Sequence, residues 1–219
     1  MHFSRPIKGI ILDFDGLILD TESPELNAWI EVFNELGLAF PEAEYLQMVG
    51  RAVDDAQPLH FLKRYLTTPY NPKQILEDKR LIVARLLDSA EVMPGVKRLL
   101  NDAKKYDLKI GLASNSDSHW VIGHLEKFDL LRFFSCVKTS ENVVHAKPDP
   151  SLYSESLACM KLEANDVIAF EDSQNGVMSA SRAGIFTIAV PNRVTRFMDF
   201  SAANTIINSL EDFSLLKYL

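Results

Sequence analysis

Two aspartates one residue apart close an apolar run near the start of the chain, in Gly9-Ile10-Ile11-Leu12-Asp13-Phe14-Asp15-Gly16. Residues two apart in an extended segment point the same way, so Asp13 and Asp15 share a side and repel. A bound cation is the usual remedy for such repulsion. Two more polar groups stand after apolar stretches, Ser114-Asn115 and Glu171-Asp172, and a fourth loop carries Lys147 in Lys147-Pro148-Asp149-Pro150. Asp13 and Asp172 are hard oxygen ligands of the type that holds Mg²⁺ beside a backbone carbonyl and waters. A magnesium site with few protein ligands usually shares its metal with a phosphate. Lys147 offers a positive charge, and Ser114 a hydroxyl and backbone N–H groups at a helix start. Together these suit a phosphoryl group whose charge is spread over its oxygens. A carboxylate such as Asp13 can attack phosphorus to give an aspartyl-phosphate. Asp15 can then protonate the leaving alcohol and later activate water.

Each piece has a plainer reading. Asp-x-Asp-Gly can be an Asx turn at a strand end, and Ser114 or Asn115 a helix N-cap. Lys147 can be a solvated loop lysine, and Glu171-Asp172 can simply favour a helix dipole. Their joint placement at strand ends separates the two readings, because ligands of open parallel sheets sit beyond the carboxyl ends of the strands.

The elements that must carry these residues follow from periodicity. Ile10 to Leu12 reads as a strand buried on both faces, and Gly16 marks a turn. For about seventy residues after it the pattern is helical. Leu26, Trp29, Ile30, Phe33 and Leu36 recur at three and four, and Gly37 closes that helix. A short helix is expected from Pro41 to Val49, a third around Leu59, Leu62, Tyr65 and Leu66, and a fourth from Pro72. From Met93 strands and helices alternate. Strands are expected at Leu108–Ala113, Ser135–Lys138, Val167–Phe170, Ile185–Val190 and Thr205–Ile207, with helices through Leu99, Trp120, Leu152 and Val177. Alternation of this kind means βαβ units and a parallel sheet. The fold class is therefore α/β, a Rossmann-like core of residues 1–17 and 93–219 with an inserted helical domain at 18–92. Linkers are expected near Leu17–Ser23 and Ser89–Pro94.

Composition sets outer limits. The chain has 219 residues, 47% hydrophobic and 24% charged, which is ordinary for one large or two modest cores. Its formal net charge is −7 with Lys and Arg scattered, so a nucleic-acid partner is not expected. No stretch approaches the ~20 apolar residues of a membrane span, and the N-terminus has no signal-peptide pattern. Cys136 and Cys159 form no CxxC pattern and read as two buried thiols in a reducing cytosol, so the expected location is cytoplasmic. The five histidines show no metal-binding spacing.

Asp13-Phe14-Asp15-Gly16-Leu17, Ala113-Ser114-Asn115-Ser116, Lys147-Pro148-Asp149-Pro150 and Glu171-Asp172-Ser173 resemble, in order and spacing, the four motifs of the haloacid dehalogenase superfamily. Asp20-Thr21-Glu22 and the helical insertion resemble its β-phosphoglucomutase-like phosphatases more closely, and the similarity runs along essentially the whole chain. The resemblance implies Asp13 as nucleophile and Asp15 as acid/base, with Ser114, Asn115 and Lys147 binding the phosphoryl group. It implies Mg²⁺ held by Asp13, the Asp15 carbonyl and Asp172, with Glu171 supporting them. The second aspartate speaks against the dehalogenases of the superfamily. Gly50-Arg51 is similar to a cap motif whose arginine reaches the substrate, although Arg51 is equally a surface charge beside a helix break. The mutases of the family carry a histidine where this chain has Glu25, which favours hydrolysis.

The expectation is a Mg²⁺-dependent phosphatase of a small phosphorylated metabolite, with a sugar phosphate as the expected substrate, working as a monomer or weak homo-oligomer and excluding bulk water when its cap closes. The alternatives are a sugar-phosphate mutase, a non-catalytic phosphosugar-binding protein, and a partner-binding helical domain. An exposed apolar face at Leu59, Leu62 and Leu66 would favour the last.

Overall fold

A computed structural model describes residues 6–47, 57–66 and 69–219. Its centre is a six-stranded sheet of β1 (Gly9–Leu12), β2 (Lys109–Ala113), β3 (Cys136–Lys138), β4 (Val167–Glu171), β5 (Phe186–Ala189) and β6 (Thr205–Ile206). Every pairing is parallel, and the spatial order is β3-β2-β1-β4-β5-β6. The chain builds outward from β1 to β3, then returns to the other side of β1 as β4. Strand order reverses there, the place where open parallel sheets bind ligands beyond the carboxyl ends of their strands. All residues of β1 and β4 are buried, which is why both read as continuous apolar runs rather than alternating ones.

The helices are α1 (Glu22–Glu35), α2 (Glu42–Leu46), α3 (Gln57–Tyr65), α4 (Pro72–Asp88), α5 (Val96–Lys105), α6 (Ser118–Lys127), α7 (Ser151–Met160) and α8 (Gln174–Arg182), among the described residues. The chain divides into two compact units. The larger gathers Met1–Leu19, Val92–Asn192 and Asp199–Leu219; the smaller gathers Asp20–Glu91 and Arg193–Met198.

In the larger unit one core cluster joins Ile11, Ala113, Tyr153, Met160 and Ala169, drawn from β1, β2, α7 and β4. In the smaller unit Trp29, Phe33, Leu59, Phe61, Leu62, Ile75 and Ile82 form the core, lined by Leu66. Leu59 and Leu62 are buried, so the apolar face that would favour a partner-binding helical domain is covered within the unit. Helix α4 starts as Asn71-Pro72 dictates: Pro72 takes the first turn, where no N–H partner is needed, and the Asn71 side chain accepts from the Lys73 N–H at 3.1 Å. Segment 193–198 joins the smaller unit because Val194 packs with Leu26 and Leu46, and Arg193 donates to Glu42 at 2.7 Å.

The cysteines depart from expectation. Cys136 of β3 and Cys159 of α7 are joined as a disulfide, with their Cα atoms 6.1 Å apart. Sequence separation hid a proximity that the β3–α7 packing creates, well within the reach of a disulfide. The chain therefore holds no pair of free thiols that would point to a reducing compartment. Among the described residues no helix is long and apolar enough to cross a membrane.

Candidate active site

Strand register lays out the floor of the site. Leu12 of β1 stands level with Leu112 of β2 and Phe170 of β4, so Asp13, Ala113 and Glu171 form the next row. The Asp13 N–H donates to the Phe170 carbonyl at 3.0 Å, which carries the strand one residue further. The backbone then turns sharply. Leu19 and Ile18 N–H both reach the Phe14 carbonyl, and Gly16 adopts φ +76°. A Cβ at Gly16 would fall on the Asp172 carboxylate. Glycine is needed there both for the left-handed backbone and for the close approach.

Lys147 lies over that row. Its ammonium donates to Asp13 Oδ1 at 2.5 Å, Glu171 Oε1 at 2.5 Å and the Ala113 carbonyl at 2.7 Å. Three donors meet three acceptors, so the charge is fully satisfied although the residue is only 7% exposed. This is not a solvated loop lysine. Burial alone would lower its pKa, but the carboxylates of Asp13 and Glu171 outweigh that and hold the ammonium firmly protonated.

Glu171 is fully buried and engaged at both oxygens, by Lys147 and the Tyr153 hydroxyl (2.7 Å) on Oε1 and by the Ser173 hydroxyl (3.3 Å) on Oε2. Gly176 in the first turn of α8 lets this carboxyl fit, since a Cβ there would overlap it. Asp172, 1% exposed, accepts from the Asn192 amide at 2.9 Å, and the same amide reaches the Gly16 carbonyl at 3.2 Å.

Oxygens of Asp13, Glu171 and Asp172 lie within 4.8 Å of one another. Burial pushes the Asp13 carboxyl well above the usual carboxylate range; the negative charges of Glu171 and Asp15 push the same way, against Lys147. One lysine thus leaves the cluster short of positive charge. Hard oxygen donors, tight spacing and that shortfall together fit a divalent cation. Glu171, already engaged by three donors, fits as support for Lys147 better than as a ligand.

The loop after β2 differs from its sequence reading in two ways. Helix α6 begins at Ser118 and its cap is Asp117, which accepts from the Trp120 N–H at 2.8 Å. Ser114 lies upstream of that helix start and is neither its N-cap nor part of its first turn. The Ser114 hydroxyl accepts from the Ser116 N–H at 3.0 Å and reaches Asp15 Oδ2 at 3.4 Å. Asn115, assigned to the phosphate from sequence, has its amide turned to the main chain of Lys147. Its Oδ1 accepts from the Lys147 N–H at 2.9 Å, and its Nδ2 donates to the Lys147 carbonyl at 3.3 Å. It fixes where the lysine stands. Arg51 lies outside the described residues.

The structure therefore brings Asp13, Asp15, Ser114, Lys147, Glu171 and Asp172 together from the ends of β1, β2 and β4 and the loop before α7. Tyr153, Ser116, Trp120 and Asn192 join them. Tyr153 and Trp120 read from sequence only as apolar faces of their helices, and only their polar tips could have marked them.

A family model described as haloacid dehalogenase-like hydrolase matches residues 10–190. "Putative phosphatase YhcW" of Bacillus subtilis (strain 168) is 36% identical over 213 residues, covering 97% of this chain and 96% of the relative. "Hexitol phosphatase B" of Escherichia coli O157:H7 is 28% identical over 220 residues, covering 98% and 97%. A crystal structure titled as that of a "putative beta-phosphoglucomutase" from Thermotoga maritima is similar with a TM-score of 0.78 at 25% identity, over 96% of this chain and 99% of that one.

Proposed function

Because the chain belongs to the haloacid dehalogenase-like hydrolases, we propose that it is a phosphatase that hydrolyses a small phosphomonoester, a sugar phosphate, through an aspartyl-phosphate on Asp13. The observation that carries this reading is the buried Lys147 ammonium joining Asp13 to Glu171 beside Asp172. Burying one cation among several carboxylates does little for stability. It does suit a site that must receive a phosphoryl group.

In the first step an Asp13 carboxylate oxygen attacks phosphorus while the ester P–O bond breaks. The departing alcohol oxygen takes its proton from Asp15. Lys147 and the Ser114 hydroxyl face the charge on the transferring group. In the second step Asp15 takes a proton from water as that water attacks the phospho-aspartate. The acyl phosphate bond breaks, inorganic phosphate leaves, and the Asp13 carboxylate is restored. Asp13, Asp172 and the Asp15 carbonyl are the oxygens that would hold Mg²⁺. Such an ion supplies the positive charge by which both the buried nucleophile and the phosphate dianion become tolerable in one place.

Hydrolysis rather than phosphate migration within one sugar is favoured by Glu25. It stands where the family's mutases carry histidine and is paired with Lys79 in the smaller unit. The mutase remains the second reading because of the β-phosphoglucomutase likeness. A screen of phosphorylated metabolites with Mg²⁺, scored for released phosphate and for isomerised sugar, tests both. Released phosphate from a sugar phosphate is the expected result; isomer without phosphate would favour the mutase, and neither would end both readings. The proposed setting is an encounter with a small solute, with no role for nucleic acid or a membrane.

A further inference from the structure

Asp15 is held from a side that the phosphate chemistry does not require. The Trp120 indole Nε1–H donates to Asp15 Oδ1 at 3.0 Å, and the Ser116 hydroxyl donates to Oδ2 at 2.5 Å. With the longer Ser114 contact, donors from α6 and the β2–α6 loop engage both carboxylate oxygens. The indole is itself located. Its backbone N–H is capped by Asp117, and its carbonyl meets His124 Nδ1 at 2.9 Å. The His124 ring lies tilted against the indole with centroids 4.2 Å apart, and its centroid is 6.1 Å from that of Phe14, the residue between the two aspartates. A half-buried indole N–H will find some acceptor, a backbone carbonyl or water serving as well as any, so what matters here is which acceptor it takes. This one, half-buried, places its only donor on the carboxylate beside the nucleophile's strand.

We propose that Trp120, together with Ser116, is a positioning residue that sets the orientation of the Asp15 carboxylate for proton transfer to the leaving alcohol. The inference rests on the phosphatase reading for its chemistry, but its geometric half can be read without turnover. General acid catalysis depends on holding the acid within hydrogen-bond reach of the atom it protonates. An acid swinging about one bond loses that, and the loss is felt only by leaving groups that need the proton.

Trp120→Phe keeps the ring and removes the N–H; Ser116→Ala removes the hydroxyl, and Ser116→Thr returns it. The measurement is kcat/KM, which reports steps up to departure of the alcohol, for glycerol 1-phosphate and for p-nitrophenyl phosphate. Trp120→Phe and Ser116→Ala are each expected to lower it about 10–100-fold for the glycerol ester and less than about 3-fold for the nitrophenyl ester, part of the general-acid contribution. Ser116→Thr is expected to recover most of the loss. Inhibition by inorganic phosphate should stay within about 2-fold, since the groups facing the phosphate are untouched. Equal losses on both esters, or none on either, would overturn the proposal.

The second measurement is the indole N–H spectrum by ¹⁵N NMR, which contains two resonances because the chain has two tryptophans. One should move on Asp15→Ala, and should be the one missing from Trp120→Phe. If neither moves, the contact does not exist in solution and the proposal fails on geometry. If the indole shift appears but the wild type hydrolyses no ester, the phosphatase reading fails and takes the proposed chemical role with it, leaving the contact alone standing.

Discussion

The two units bury different things. In the larger, Asp13, Lys147, Glu171 and Asp172 are all nine-tenths or more buried, and the Asp13–Lys147 pair joins residues 134 positions apart. In the smaller, the ion pairs Arg85–Glu31 and Arg64–Glu44 stand in solvent, the buried Lys79 pairs with a Glu25 that is part-exposed, and the hydrophobic core is aromatic and aliphatic. A chain that needed only to fold would follow the second pattern, because apolar burial stabilises while buried charge rarely does. The first pattern is kept where charge is wanted for its own sake. The lesson is to look for chemistry where a fold accepts electrostatics that its own packing does not need.

The largest test of that contrast is Asp13→Asn. Hydrolysis should fall to background in a phosphate-release assay. The thermal midpoint should hold or rise, since burial already disfavours the charged carboxylate. A variant with wild-type turnover would remove Asp13 as nucleophile. Next is Lys147→Ala, which leaves two buried carboxylates facing each other without their cation. It should destabilise by about 3–5 kcal/mol in urea unfolding without metal, as for other broken buried pairs. A cost under about 1 kcal/mol would mean that the cluster is not stressed as described.

The metal gives a subtler test. Burial raises the pKa of Asp13, so below it the carboxyl carries a proton that the proposed Mg²⁺ would have to displace. Affinity should be full above that pKa and fade as the pH falls through it. Calorimetry in buffers of different ionisation enthalpy should register proton release. Affinity flat across the acid range would separate the ion from Asp13. The smallest effect belongs to the other unit: Arg85→Ala, whose pair with Glu31 is exposed, should cost under about 1 kcal/mol and leave phosphate release unchanged.

The gathering of the candidate site's residues could largely be read before any fold was known. Asp13, Asp15, Lys147 and Asp172 betray themselves because a carboxylate or ammonium directly after a buried strand, or before a stiff proline loop, is locally anomalous. Strand bounds were legible within a residue or so for β1 and β6, since apolar runs end abruptly there. What stayed hidden depends on packing between distant segments. Nothing local in Ser-Leu-Tyr-Ser tells that the Tyr153 hydroxyl meets Glu171, because the helical period accounts for the ring alone. Asn115 carries the residue type expected of an anion binder, and only the return of the Lys147 loop gives its amide to a backbone. The Cys136–Cys159 pair and the move of segment 193–198 into the smaller unit are likewise products of assembly rather than of local pattern.

The two glycines pressed against carboxylates, Gly16 on Asp172 and Gly176 on Glu171, limit how this protein could be reshaped. A library built to widen its selectivity should leave both codons fixed, because the smallest added methyl would shove an acid out of register before any new ligand arrived. In a deep mutational scan these positions should behave as if they were part of the chemistry, although neither has a side chain to contribute.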